Sequence, residues 1–197
     1  MKNKILLLAL TFLCSTLSLA QNAQRDPLEN TFVKENLSAR DLQVFELRAQ
    51  QKLKDYANYI EIISDKNFDA ELRKEAAGSA LRLFSGQDVT VHETLSGGKA
   101  KEWKLSDYLS KLNASAYKKI VSQISNLVLA KPMVKQAENS YKGELSYTQI
   151  TKGYDDKGKE VFSVKAEKKA EVILKKVKKQ FGRETEEVWE VFLGRIN

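Results

Sequence analysis

The sequence predicts an α+β fold in which N-terminal helices pack on a strongly curved antiparallel sheet. Three observations support this prediction. Apolar residues recur every three or four positions over residues 38–84, which is typical of amphipathic helices. From residue 117 onward, four long segments rich in β-branched and aromatic residues are joined by short connections, which indicates an antiparallel meander. Helices that precede a run of strands are typical of α+β proteins.

The first helix is predicted to begin after Ser38. Asp41 lies three residues after this serine, so the two side chains can form a capping box. The apolar stripe that follows keeps to one helical face and predicts a helix to about residue 64. This stripe consists of Leu42, Phe45, Ala49, Leu53, Tyr56, Ile60 and Ile63.

A second helix is predicted to begin at Asp69 and to run through about Phe84, with Gly86 as its C-terminal cap. The run of small residues at positions 76–80 would let this helix approach its neighbour closely. Its predicted packing residues are Leu72, Ala76, Ala80 and Leu83.

A short strand is predicted over residues 88–93, where Val89 and Val91 alternate with polar neighbours. Residues 96–99, which include Gly97 and Gly98, are predicted to form a turn or a flexible loop. Ser106 then opens a third helix with a narrow apolar stripe. That stripe consists of Leu105, Tyr108, Leu109 and Leu112.

The four β-rich segments are predicted over residues 117–129, 135–154, 160–177 and 187–196, with a hairpin connection at residues 155–158. Trp189, in the last segment, is interpreted as a core residue. Alternation in the other segments marks further inward-facing positions. These are Tyr141, Leu145 and Tyr147 in the second segment, and Val172, Leu174 and Val177 in the third.

Residues 1–20 have the pattern of a secretory signal peptide. Lys2 and Lys4 precede an apolar run over residues 5–13, and Ser18-Leu19-Ala20 supplies small residues at the cleavage positions. The run is too short to anchor the chain across a bilayer. We therefore expect a flexible leader over residues 21–37, a single domain over residues 38–197, and a periplasmic or extracellular location in a Gram-negative-type bacterium. Such a location argues against a nucleic-acid partner.

The low content of cysteine and histidine limits the kinds of catalytic and metal site that the chain can form. The only cysteine, Cys14, lies within the predicted signal peptide, so a mature chain beginning at Gln21 would have no thiol for a disulfide, a nucleophile or a metal site. Leu13, directly before this cysteine, fits a lipoprotein cleavage site poorly. The only histidine, His92, is interpreted as a surface residue at the end of a strand. No metal site and no cofactor are expected.

The formal net charge is +7, and the basic residues are densest near the C-terminus. One interpretation is a solvent-facing strand that its lysines protect from aggregation. The alternative is weak attraction to anionic lipid head groups or acidic polysaccharides. The residues concerned are Lys165, Lys168, Lys169, Lys175, Lys176, Lys178, Lys179 and Arg183.

The element order resembles the cone-shaped fold of nuclear-transport-factor-like domains, which include SnoaL-like polyketide cyclases and ketosteroid isomerase. Several segments are similar to a group of small exported proteins in this superfamily. The resemblance implies a curved sheet closed around a pocket. Its enzymatic members place an Asp or His base inside the cone, but no position here matches that base, so no catalytic residue is assigned. The similar segments are Leu53-Lys54-Asp55-Tyr56, Leu81-Arg82-Leu83-Phe84, Asp107-Tyr108-Leu109 and Tyr147-Thr148-Gln149.

The expected pocket groups are Tyr141, Tyr147, Gln149 and Thr151, with Trp103 at the rim. The first hypothesis is a non-enzymatic binding or assembly domain of the cell envelope. Its partner would be a small apolar ligand, an envelope protein or a second copy in a homodimer. The second hypothesis is a cone-fold enzyme of isomerase, cyclase or hydratase type that acts on a small hydrophobic substrate. A buried carboxylate near Tyr147 or Tyr141 would favour the enzyme. The third is an envelope-surface module that uses the lysine-rich strand.

Overall fold

The computed structural model describes residues 31–136 and 140–197. The predicted signal peptide and residues 21–30 of the predicted leader therefore lie outside the described residues. The helices are α1 (Ala39–Ser64), α2 (Ala70–Arg82) and α3 (Leu105–Asn113). The strands are β1 (Thr90–Glu93), β2 (Lys101–Lys104), β3 (Lys119–Lys135), β4 (Ser140–Tyr154), β5 (Glu160–Phe181) and β6 (Glu184–Ile196).

The strands form one curved six-stranded sheet in the order β2-β1-β6-β5-β4-β3, with helices packed on it. Strands β3 to β6 are consecutive antiparallel neighbours, so the predicted meander and the predicted α+β fold are confirmed. The short β1–β2 hairpin extends the sheet beyond β6, which β1 meets in parallel at the pair Val91 and Ile196. Register shifts in β3, one of them between Ser125 and Val128, interrupt the ladder in the way that bends a strand.

Helix α1 begins and packs as predicted. The Ser38 hydroxyl oxygen accepts a hydrogen bond from the Asp41 N–H at 3.2 Å, and the Asp41 carboxylate accepts one from the Ser38 N–H at 2.9 Å. Together these bonds satisfy two backbone donors at the start of the helix. The buried face is at most 2 % exposed at Phe45, Ala49, Leu53, Tyr56, Ile60 and Ile63.

Two details predicted for the second helix are wrong. Helix α2 ends at Arg82 with Leu83 as its C-cap, so Gly86 is not the cap. The helix stops early because Phe84 forms a bridge with Leu193 of β6, which fixes the chain in an extended direction. Leu72 is 40 % exposed and does not pack in the core. The residues of α2 that are buried are the small ones, Ala76 and Ala80.

Residues 31–34 pack on the domain. Residues 31–33 are helical, and the ring of Phe32 lies edge-on to Phe45 with 5.6 Å between centroids. The indole N–H of Trp189 donates a hydrogen bond to the Lys34 carbonyl at 2.7 Å. This part of the predicted leader is thus joined to both α1 and β6.

Most of the predicted inward-facing strand residues are buried. Tyr141, Leu145 and Tyr147 of β4 are at most 7 % exposed, and Trp189 of β6 is 2 % exposed. Val172 and Leu174 of β5 are also buried, but Val177 is only partly buried, because the last residues of β5 extend toward the β5–β6 hairpin. No described helix is long and apolar enough to cross a membrane.

Candidate functional site

A group of polar side chains lies inside the otherwise apolar interior, and we call it the Glu93 cluster. It brings together residues from two helices and four strands that are far apart in sequence. Its members are Glu93 of β1, Ser122 of β3, Tyr147, Gln149 and Thr151 of β4, Lys168 of β5, Tyr56 of α1 and Tyr108 of α3.

A buried ion pair forms the centre of the Glu93 cluster. The Lys168 ammonium lies 2.7 Å from Glu93 Oε2, and the two side chains are 5 % and 1 % exposed. Lys168 also donates a hydrogen bond to the His92 carbonyl at 2.6 Å. A charge removed from water is strongly destabilising unless it is paired, so each of these residues requires the other.

Gln149 connects this ion pair to the neighbouring strands. Its side-chain N–H₂ donates to Ser122 Oγ at 2.9 Å, and lies 3.3 Å from both Glu93 Oε2 and Thr151 Oγ1. Ser122 and Thr151 are directly paired across β3 and β4, which places their hydroxyls on the same inner face. The amide therefore holds Glu93 Oε2 in a fixed position.

Three buried tyrosines lie close enough to Glu93 for its charge to act on their phenols. Tyr56, Tyr108 and Tyr147 are each at most 2 % exposed. Burial raises the pKa of all three phenols well above the ordinary value, and the negative charge of Glu93 raises the pKa values further. The phenols therefore remain protonated at neutral pH and are available as hydrogen-bond donors.

Several buried polar atoms of the Glu93 cluster have no hydrogen-bond partner within the described part of the chain. They are Glu93 Oε1, Gln149 Oε1 and the hydroxyl oxygens of Tyr56 and Tyr108. A buried polar group without a partner costs about 1–3 kcal/mol, and native proteins rarely retain several of them together unless water or a ligand satisfies them. A bound water or a small molecule with polar groups could supply the missing hydrogen bonds.

The unpartnered atoms have complementary chemistry. A carboxylate oxygen can accept a proton, and a protonated phenol can donate a hydrogen bond to an oxygen that becomes negative. Lys168 compensates the carboxylate charge from the opposite side, through Oε2 rather than Oε1. The Glu93 cluster therefore contains the two kinds of group, a base and hydrogen-bond donors, that proton abstraction requires. Among the described residues, no group of three or more His, Cys, Asp or Glu side chains is placed to hold a metal ion.

The predicted pocket residues fall into two groups. Tyr147, Gln149 and Thr151 lie in the Glu93 cluster. Tyr141 lies on the same face of β4 but farther along the strand, where its ring packs against Trp189 with 5.5 Å between centroids. Trp103 is half-buried on β2, and its indole N–H donates to the Glu93 carbonyl at 3.1 Å. Trp103 thus holds the backbone of the central carboxylate. That any of them contacts a ligand stays a prediction.

The two charged residues of the cluster are not among the predicted site residues, although both carry a signal in the sequence. Glu93 continues the alternation that buries Val91, so it faces inward. Lys168 lies two residues before the buried Ala170, on the same inward face of β5. Neither interpretation of the lysine-rich zone, as a solvent-facing strand or as an anion-attracting surface, fits Lys168, because it is buried. His92 is exposed, as predicted.

No known family profile matches the sequence. No curated protein matches it either. Several solved structures are similar in fold. A protein assigned as a scytalone dehydratase from Novosphingobium aromaticivorans is 10 % identical, with 80 % of this chain and 90 % of that chain covered and a TM-score of 0.38. A protein from Streptomyces avermitilis, assigned as a dehydratase of the nuclear-transport-factor-like family, is 7 % identical, with 77 % and 96 % covered and a TM-score of 0.38.

A hexachlorocyclohexane dehydrochlorinase is 11 % identical to the chain, with 79 % of this chain and 86 % of that chain covered and a TM-score of 0.37. The similar structures thus include members of the family that the sequence resembles. At these TM-scores, the similarity does not indicate what this chain binds or does. Any function must therefore be derived from the Glu93 cluster itself.

Proposed function

We propose that this protein is an acid–base enzyme that moves a proton on a small, largely apolar substrate at the Glu93 cluster. The reaction would be of isomerase, cyclase or hydratase type. The observation that carries the proposal is the unpartnered Oε1 of Glu93, a buried carboxylate oxygen with protonated tyrosines around it. Titratable groups with perturbed pKa values, as the three tyrosines have here, cluster at active sites more than elsewhere in proteins.

Each residue has a distinct role in this proposal. Glu93 Oε1 accepts the proton as the general base. The hydroxyls of Tyr56 and Tyr108 donate hydrogen bonds to the substrate oxygen on which negative charge develops. Lys168 and Gln149 are positioning residues, because both bind Oε2 and so leave Oε1 directed toward the substrate.

The side chains around the Glu93 cluster limit the chemical class of substrate that can bind there. The inward-facing neighbours of the polar residues along the strands are apolar and fully buried; they include Val91, Ile120 and Ala170. A substrate that fits here has a small apolar body and a hydroxyl or carbonyl group to satisfy the tyrosines. A strongly charged substrate does not fit, because the ion pair already compensates its own charges.

Solvent deuterium tests the proposal even though the substrate is unidentified. The purified protein is incubated in D₂O with a small-molecule extract of its source organism, and mass spectrometry follows deuterium uptake and conversion. We expect at least one compound to change. Glu93→Gln should slow that change at least about 100-fold, since general-base catalysis contributes about 10²–10⁴-fold. A folded Glu93→Gln protein that retains the rate within threefold would overturn the proposal.

A matched control and a milder variant keep this experiment interpretable. Glu102→Gln changes a carboxylate on the adjacent strand whose ion pair with Arg195 is exposed on both sides, and it should leave the rate unchanged. Tyr108→Phe removes one proposed donor without disturbing any ion pair, and it should lower the rate about 10-fold or more. Circular dichroism establishes that each variant is folded.

The second candidate is the non-enzymatic binding domain. This candidate is favoured by the interactions that fix the Glu93 carboxylate, since Lys168 and Gln149 both bind its Oε2. A buried polar network that holds its groups in place can serve recognition alone. The same experiment separates the two candidates: a compound that is bound by the wild-type protein, lost in Glu93→Gln and unchanged in mass in D₂O supports binding without catalysis.

We also propose that the protein acts outside the cytoplasm, in the periplasm or beyond it. The support is the signal-peptide pattern of residues 1–20 in the sequence. Cell fractionation of a C-terminally tagged chain, with mass spectrometry of the N-terminus, tests this location. We expect a mature chain that begins at Gln21, whereas a cytoplasmic chain that retains Met1 or Lys2 would contradict export.

A further inference from the structure

The β1–β2 hairpin is joined to the rest of the sheet by little backbone pairing. Within the described part of the chain, β1 meets β6 only at the pair Val91 and Ile196. The two strands of the hairpin pair with each other along their whole length, and the Leu105 N–H donates to the Val89 carbonyl at the base at 2.9 Å. The hairpin is therefore a regular unit that can separate from the sheet without losing its own hydrogen bonds.

The hairpin covers part of the interior of the domain. It continues past Ile196, where β6 ends, and lies against inward-facing residues of β5. The Lys168 ammonium donates to the His92 carbonyl at 2.6 Å, and a Cβ added at Gly97 would lie 3.0 Å from the Cβ of Phe162. Lys168 and Phe162 are both buried. The hairpin thus closes the interior beside the last turn of the β6 ladder.

The Glu93 side chain holds the hairpin in this position. Its Oε2 lies 2.7 Å from the ammonium of Lys168 on β5 and 3.3 Å from the side-chain nitrogen of Gln149 on β4. Of the residues of the Glu93 cluster, Glu93 alone belongs to the hairpin. A second ion pair between the hairpin and β6 joins Glu102 to Arg195, but both side chains are more than half exposed, at 53 % and 54 %, so it contributes little.

The Glu93 cluster is closed to solvent in this arrangement. Glu93 is 1 % exposed, and Tyr56 and Tyr108 are at most 2 % exposed, so a substrate reaches Oε1 only after some element has moved. Strands β3, β4 and β5 pair with one another along nearly their whole lengths, and moving them would break those ladders. Moving the hairpin breaks one ladder position, and it returns both charges of the ion pair to water together, which offsets part of the lost attraction.

We propose that the β1–β2 hairpin is a lid that opens as a unit to admit the substrate, and that the ion pair of Glu93 and Lys168 holds it closed. This inference rests on the proposed function, because it supplies the route to the same site. Glu93 moves with the lid, whereas Tyr56 and Tyr108 stay on the helices. Closure therefore brings the base to the hydrogen-bond donors around a bound substrate, as lid closure does in many enzymes.

Alkylation of an introduced cysteine measures the opening directly. Thr151→Cys places a thiol in the Glu93 cluster, where Thr151 is 4 % exposed. Ala49→Cys places one at a fully buried position of α1, about two turns before Tyr56. Iodoacetamide reacts with each thiol only when it is exposed, and mass spectrometry of the peptide that contains it gives the rate. Urea unfolding establishes that the two proteins have similar free energies of unfolding.

The two probes distinguish lid opening from unfolding of the whole domain. We expect Thr151→Cys to be labelled at least about 10-fold faster than Ala49→Cys, because lid opening exposes the first thiol whereas only unfolding exposes the second. Labelling rates within twofold of each other would overturn the proposal. The comparison leaves the ion pair intact and uses no substrate, so the lid can be refuted while the proposed function stands, and the proposed function can fail while the lid stands.

Variants of the ion pair test what holds the lid closed. In the Thr151→Cys protein, Glu93→Gln and Lys168→Met should each raise the labelling rate at least about 10-fold, because the charge left unpaired regains water when the lid opens. The two substitutions change the local charge in opposite directions, so an increase in both excludes an electrostatic effect on the thiol. Lys142→Met, which removes an exposed ion pair of β4, should leave the rate within twofold. No increase in either ion-pair variant, or an equal increase at Ala49→Cys, would overturn the proposal.

Discussion

Replacing Lys168 by methionine should destabilise the protein far more than replacing any lysine at its surface. The substitution keeps the length of the side chain but removes the ammonium 2.7 Å from Glu93 Oε2, where the carboxylate side chain is 1 % exposed. An uncompensated buried charge typically costs about 3–5 kcal/mol. We expect Lys168→Met to lower the free energy of unfolding by about that amount.

An exposed ion pair of similar length supplies the control. Lys142 and Glu171 lie 2.9 Å apart, but their side chains are 50 % and 37 % exposed. Exposed pairs contribute about 0–1 kcal/mol, so Lys142→Met should change the free energy of unfolding by less than about 1 kcal/mol. Because the two distances are similar, the difference between the two variants isolates the effect of burial.

The double variant separates a pair interaction from two independent losses. Glu93→Gln with Lys168→Met removes both charges, so its cost should fall short of the sum of the single costs by several kcal/mol. Urea unfolding followed by circular dichroism measures each free energy. Thermal midpoints give a second measure, since 1 kcal/mol corresponds to about 2–4 °C in a domain of this size. Two results would refute a strong buried pair: a loss of less than about 1 kcal/mol in the free energy of unfolding for Lys168→Met, or a loss in the double variant equal to the sum of the losses in the two single variants.

Three further predictions concern the fold. A Cβ added by Gly153→Ala would overlap the ring of Phe162, so this variant should lose about 1–3 kcal/mol in urea unfolding. Leu53→Ala should lose about 2–5 kcal/mol because Leu53 is fully buried, whereas Leu72→Ala should lose less than about 1 kcal/mol in the same assay because Leu72 is 40 % exposed. Hydrogen bonds from Lys34 and Ser38 hold the pKa of Asp41 well below its usual range. The stabilisation that this carboxylate gives the folded state is present above about pH 4, the pKa of an Asp in the unfolded chain, and is lost as the pH falls. Asp41→Asn should therefore lower the free energy of unfolding by about 1 kcal/mol at pH 7 and by progressively less at lower pH. Thermal unfolding measured over an acid titration checks this.

Local patterns in the sequence predict much of the fold. The capping box at Ser38 and the apolar stripe of α1 depend only on neighbours within one or two helical turns, and both are as predicted. The meander of β3 to β6 follows from alternation and short connections, which are also local. The end of α2 is predicted wrongly because a distant contact decides it. Phe84 ends α2 by pairing with Leu193, more than a hundred residues away in sequence.

The candidate site could be predicted only in part, for the same reason. Alternation places Tyr147 and Gln149 on the inner face of β4, and both are among the predicted pocket residues. It also places Glu93 and Lys168 on inner faces, but each residue alone suggests exposure, since charged side chains are rarely buried. Only the sheet order, which brings β1 and β5 to either side of β6, shows that the two charges meet. Neither the composition nor the spacing of residues along the chain predicts the contact between Glu93 and Lys168.

The most direct test of the Glu93 cluster as a ligand site is native mass spectrometry. The wild-type protein and Glu93→Gln are each incubated with the small-molecule extract of the source organism and desalted under non-denaturing conditions. We predict a small bound mass on the wild-type protein whose occupancy falls at least about tenfold in Glu93→Gln, while Glu102→Gln retains it. A wild-type protein that binds nothing, or a bound mass equally present in all three proteins, would contradict the account.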